Sequence, residues 1–150
     1  MRHFARVSAP KLERGQSLVE LALMMTVLVL LLAGVLDLAR AYYSYLALRD
    51  AAGDGAYYAS IHPSWKTSAD NPDPDNITYR VKNAAPSGGF VSFTAATVTV
   101  TAPSISAGNY ITVTVSTSYR IITAFIGGIV GSQTLPLSAT SSAKILSPGP

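Results

Sequence analysis

The stretch LVELALMMTVLVLLLAGVL, Leu18 to Leu36, decides how this chain is built. It is nineteen residues long and holds one charge, Glu20. Crossing a hydrocarbon core as a helix takes roughly 20 apolar residues. The apolar run extends usefully to Ala41, because Asp37 and Arg40 stand one helical turn apart and can pair. Tyr42, Tyr43 and Tyr45 follow, as in the aromatic belt at a membrane surface. A buried core helix of a soluble protein would have no reason to combine this length with a belt and flanking charge. A secretory signal has an apolar region of about 7–15 residues and a small-residue cleavage site. Here the run is longer, and Ala39-Arg40-Ala41 carries an arginine inside the motif. The sequence therefore predicts a retained span over residues 16–41.

Charge sets the orientation. Arg2, Arg6, Lys11 and Arg14 precede the span, with Glu13 among them, and together they account for the whole formal charge of +3. The remainder is neutral, with seven basic and seven acidic residues. A basic excess confined to the first fifteen residues is no footprint for nucleic acid. By the positive-inside rule it keeps the N-terminus in the cytoplasm and sends the bulk of the chain outside. At 49% hydrophobic and 13% charged, the chain is too apolar for a disordered one. It has no cysteine, which excludes disulfides, thiolate zinc sites and a cysteine nucleophile.

Beyond the span the helical pattern continues through LDLARAYYSYLALRDAAGDGAYYAS, so one helix is predicted from about Ser17 to Ser60, with residues 42–61 standing outside the bilayer. Ala47, Ala51, Gly55 and Ala59 form a narrow stripe of small residues four apart. Such a stripe packs either on the chain's own sheet or on a neighbouring subunit. Gly53 and Gly55 imply a tight contact or a joint, and Pro63 ends the helix near Ile61. HPSWKTSADNPDPDN reads as a loop. Asp75 is then the expected N-cap of a short helix with Ile77, Val81 and Ala84 on one side, broken by PSGG. VSFTAATVTVTA, YITVTVSTSY and TLPLSATSSAKI alternate at period two, predicting three or four antiparallel strands. Ile111, Val113 and Val115 face one way, Thr112, Thr114 and Ser116 the other, and the protruding half-helix is the available cover for the apolar face. IITAFIGGIV, residues 121–130, is too short to span and is expected to lie near the membrane surface or to form an apolar interface patch. The fold class is α+β: a long N-terminal transmembrane helix packed on a small antiparallel sheet within residues 62–150.

The segment Gly15-Gln16-Ser17-Leu18-Val19-Glu20 resembles the class III signal of type IV prepilins, in which a basic leader ends in glycine and a glutamate holds the fifth mature position. RGQSLVELAL, LDLARAYYSYLALRDAAGDGAYYAS, ITVTVSTSYRIITAFIG and LPLSATSSAKI together resemble the TadE-like family, the pseudopilins of the tight-adherence (Flp-type) pilus apparatus. The resemblance implies a leader at 1–15, cut by a prepilin peptidase between Gly15 and Gln16. It implies that Glu20 docks on the new amine of an adjacent pilin or pseudopilin, inside membrane lipid. It also implies a part in pilus assembly and cell adhesion. Glycine suits a scissile bond that must be extended and uncrowded. The freed α-amino group has a reference pKa near 7.7–8.0 and is mostly protonated at neutral pH, and a carboxylate near lipid needs such a partner. Two departures are Gln16 as first mature residue and Asp54, with uncharged neighbours, where the family often carries a basic residue.

Other constellations carry less. Asp70, Asp73 and Asp75, with Asn71 and Asn76, offer oxygen ligands, but Pro72 and Pro74 interrupt them and no EF-hand glycine or distal glutamate follows. His3 and His62 are the only histidines, so no triad or zinc set assembles. Asn76-Ile77-Thr78 fits a sequon by pattern alone. The expectation is therefore a non-enzymatic membrane protein with no metal or cofactor. The alternative is a membrane-anchored extracytoplasmic binding module that never enters a pilus, for which Gly15 and Glu20 are incidental.

Overall fold

A computed structural model describes residues 13–67, 69–72, 75–84 and 92–147. The leader's first twelve residues, Asp73 of the acidic loop and the PSGG break lie outside them. Helix α1 runs from Glu13 to Ile61, 49 residues, four residues earlier and one later than the pattern predicts. At about 1.5 Å per residue it is roughly 73 Å long. Its two halves bury different things. From Gly15 to Leu36 the helix is largely bare, and its most apolar window is 0% buried within the protein. From Asp37 onward one stripe disappears under the rest of the chain: Asp37, Ala41, Ser44, Leu48, Ala52 and Ala59. Spacings of three, four and seven keep such residues on one face.

The cover is a three-stranded antiparallel sheet in the order β1-β2-β3, with β1 at Thr97–Thr101, β2 at Tyr110–Arg120 and β3 at Thr134–Lys144. Register explains why it has one wet face and one dry face. Val98 pairs Val115 and Val100 pairs Val113, while Ala139 and Ala143 oppose Val115 and Ile111. These side chains turn to α1, and Ile111, Val113 and Val115 are fully buried. The intervening positions put hydroxyls outside, where Thr112–Ser142, Thr114–Thr140 and Ser116–Ser138 bond across strands at 2.8, 3.0 and 3.1 Å. β1 is shorter than its alternation suggests, because Phe93 and Ala96 leave the strand path and plug the core. Between β1 and β2, Gly108 takes a φ of 95°, the left-handed region that glycine enters without strain. Leu146 N–H bonds to Ser60 C=O at 2.8 Å and ties the chain's end to the end of α1.

Helix α2, Ile77–Asn83, closes the side of the core with Ile77 and Val81. Its N-cap is Asn76 and not Asp75: Asn76 Oδ1 accepts from Tyr79 N–H at 2.8 Å, and the side chain is buried. Asp75 instead stays exposed, and its carbonyl accepts from the Tyr58 hydroxyl. The cap moved because a neutral amide can be buried there with partners on both sides, whereas a carboxylate would lose its water. Ala84 is also displaced from its expected face, since the helix stops at Asn83 and leaves it exposed. The apolar segment after β2 is neither loop nor patch alone. It forms a short helix, α3, at Ala124–Val130, ended by Gly131 at φ 76°.

Candidate functional site

The residues singled out by sequence fall into three places along α1. Gly15, Gln16 and Glu20 lie in its first turns and are exposed. Gly15 is helical, so the extended backbone expected at a scissile bond is not the conformation seen. It is uncrowded, however: a Cβ placed there meets nothing within 4 Å. The first turn of a helix lacks intrahelical partners for its amides and frays readily, so a short unwinding exposes this bond. Glu20, one turn further in, has no ion-pair or hydrogen-bond partner among the described residues.

The small-residue stripe lies much further along. Ala51, Gly55 and Ala59 are buried and Ala47 half-buried, and what covers them is the chain's own core. Gly55 shows why a small residue is needed. A Cβ there would run into Val81 of α2 and stand 3.3 Å from Val113 of β2. Gly53, two residues earlier, has nothing within 4 Å of the same construction. Of the two readings of the stripe, internal helix-on-sheet packing accounts for its burial.

Between these regions sits a polar site that the sequence shows only in part. Asp37 and Arg40 do approach, at 3.8 Å, with the arginine side chain 36% exposed and the aspartate 5%. Yet the closer partners of Asp37 come from far along the chain. Thr123 N–H donates to Oδ2 at 2.8 Å and Ile122 N–H to Oδ1 at 3.4 Å. The Tyr119 hydroxyl lies 3.5 Å from Oδ1. Burial pushes the Tyr119 hydroxyl above its usual pKa and the Asp37 charge adds to this, so it remains a donor. One carboxylate thus collects amides immediately before α3, where Thr123 provides no side-chain cap of its own. Ala41, Tyr119 and Ile121 form a small apolar cluster beside it. The available signal was a lone aspartate ending an apolar run, since ionisable groups at that depth require a partner. The closer partners, 82 to 86 residues away, left no local trace.

Elsewhere the polar groups serve the fold. Arg80 lies over the Tyr58 ring with its guanidinium carbon 4.4 Å from the centroid, at one edge of an open cleft lined also by Asp54, Tyr57 and Tyr79. Burial holds the Tyr58 hydroxyl above its usual pKa, and it donates to Asp75 C=O at 3.0 Å. His62 stacks on Trp65 at 4.0 Å just past the helix end. Asp70 turns back on Thr67, accepting from its amide and hydroxyl at 3.0 and 3.1 Å. Among the described residues, no three His, Asp or Glu side chains converge as a metal site would require.

Residues 15–56 match the family model described as TadE-like protein. The match begins at the glycine and takes in the bare span, Asp37 with Arg40, and Ala47, Ala51 and Gly55 of the stripe, while Tyr119, Ile122 and Thr123 lie outside it. Neither the curated proteins nor the solved structures include a significant match. Among the described residues α1 is the one helix long and apolar enough to cross a membrane, and the matched segment lies within it.

Proposed function

We propose, from the premise of a TadE-like segment coincident with the span, that this protein is a pseudopilin taking part in assembly of a tight-adherence pilus or a related secretion apparatus. It inserts once, N-terminus inside, and a prepilin peptidase removes residues 1–15. The sheet domain then stands outside, and the processed helix docks laterally among other pilins or pseudopilins. It performs no chemistry of its own.

The observation that carries this reading is the state of Glu20. It projects from the span without a partner among the described residues, although a carboxylate near lipid is costly unless paired. Cleavage after Gly15 supplies a cation in the right place: the new amine on Gln16 lies four residues from Glu20, about one helical turn. Within one chain the two sit side by side. Between chains offset by a turn, each amine faces a neighbour's carboxylate, which fixes axial register as well as neutralising charge.

N-terminal sequencing and mass spectrometry of the membrane-extracted protein test this. The expected product starts at Gln16 and lacks about one-tenth of the 15.7 kDa chain. Gly15→Phe should retain the leader yet still insert, because the span supplies the membrane affinity. Recovery of the intact chain from cells with an active prepilin peptidase would overturn the proposal.

A further inference from the structure

We propose that α3 is a membrane-embedded helix, immersed in the acyl-chain region of the outer leaflet beside the span, with the Asp37 carboxylate satisfying the backbone amides at its entry. The inference rests on the span reading and its orientation, but on neither leader cleavage nor pilus membership.

The first observation is position. After β2 the chain turns back along α1 towards its N-terminus. Ile126 Cδ1 approaches to 3.2 Å from where a Cβ on Gly34 would stand. Phe125 and Ile126 line an apolar groove with Val27, Leu30, Leu31 and Gly34, all inside the predicted span. Length then decides where the bilayer must be. The hydrocarbon core is about 30 Å thick, and the apolar run Leu18–Leu36 provides about 28 Å at about 1.5 Å per residue. If lipid stopped short of the groove at Val27, only nine residues of that run would remain, about 14 Å. The bilayer therefore extends along the groove, and α3 is at the same depth.

The second observation is the surface α3 offers. Ile122, Phe125, Ile129 and Val130 are 64, 53, 69 and 54% exposed, and the sequence carries no charge from Ile121 to Gln133. This apolar surface is continuous with the bare face of α1, so a single occupant, lipid acyl chains, covers both. Arg120 precedes the segment and Arg40 stands one turn above Asp37, at the level where headgroup phosphates meet a protein.

The third observation is backbone satisfaction. Non-helical backbone survives at membrane depth only where its polar groups are matched. Thr123 and Ile122 donate to Asp37, while Ile126 and Gly127 N–H reach Thr123 C=O. Ile121 N–H bonds Gln133 C=O at 2.9 Å, closing the excursion at its base.

The test uses tryptophan fluorescence of the full chain in phosphatidylcholine vesicles brominated on the acyl chains. The protein has one tryptophan, Trp65, in the loop beyond α1. The unaltered chain therefore provides the unquenched reference. In a Trp65→Phe background, Phe125→Trp and Ile129→Trp should each lose as large a share of emission as Leu32→Trp in the span. Quenching of Leu32→Trp without that of either α3 probe would overturn the inference and leave the span intact. Such a result would place α3 in water or against another protein. Absence of quenching at Leu32→Trp as well would overturn the span reading and this inference together. Far-ultraviolet circular dichroism and a thermal melt matched to the unaltered chain establish that each variant is folded.

Discussion

Removing the Asp37 carboxylate should loosen the joint between span and sheet domain by an amount that can be worked from its contacts. In Asp37→Ala the Thr123 amide loses its 2.8 Å acceptor and the Ile122 amide a weaker one at 3.4 Å. An orphaned buried donor costs about 1–3 kcal/mol, with the longer bond at the low end. The Arg40 pair adds under about 1 kcal/mol, since the arginine is partly in solvent and the separation is long. Alanine returns up to about 0.7 kcal/mol of helix propensity. The net loss is about 2–4 kcal/mol, most of it from the amides. Asp37→Asn separates the causes: it keeps one acceptor oxygen and the shape but loses the charge, which roughly doubles such bonds, so its loss should be about 1 kcal/mol. The assay is urea unfolding in nonionic detergent, read by near-ultraviolet circular dichroism. Equal losses for Ala and Asn, or an Ala variant within about 0.5 kcal/mol of the parent, would refute the reasoning, since surface changes of no consequence fall in that range.

Further outcomes depend on what surrounds individual residues. Gly53→Ala should raise stability by about 0.5–1 kcal/mol, because nothing stands where its methyl would go. Gly55→Ala should forfeit that gain to overpacking against Val81 and Val113, typically about 1–3 kcal/mol, so a pair of thermal melts should move apart. Asn76→Ala should cost about 1–2 kcal/mol through its lost cap bond to Tyr79, whereas Asp75→Ala should leave the melting temperature unchanged. Glu20→Ala should not alter the monomer's melting, since no partner is lost within the described chain, but should abolish co-purification with pilus partners. Retained co-purification would favour the anchored binding module.

What the sequence made legible were features with a period. The span, its continuation to Ile61 and the inward face Ile111-Val113-Val115 each repeat a rule every two or every three to four residues, so each residue checks its neighbour. The N-cap was misplaced by one residue because Asp75 and Asn76 are both good caps in isolation; burial of the side chain decided between them. The burial of Gly55 against Val81 and Val113 joins residues 26 and 58 positions apart, and pattern alone left a subunit contact equally open. α3 escaped because seven residues with two glycines carry too weak a helical signal. Its stability comes from Asp37 and Gly34, residues that had already been read as part of the span.

The two acids of α1 within that span meet opposite surroundings. Both Glu20 and Asp37 interrupt or bound an apolar run, and by sequence both call for a partner. Asp37 finds its own: two amides, a tyrosine and an arginine of the same chain surround it, and its side chain is 5% exposed. Its role is complete within the monomer, so its loss should register as stability. Glu20 is exposed on a stretch of helix with no sheet beside it, and it has no partner among the described residues. Under the proposed function, the carboxylate left unmatched among the described residues is the one that meets a group supplied by another chain. The same contrast separates the assays: Asp37 variants belong in an unfolding cuvette, Glu20 variants in a pull-down. A Glu20 variant that melted early, or an Asp37 variant that lost partners while melting normally, would exchange the two roles.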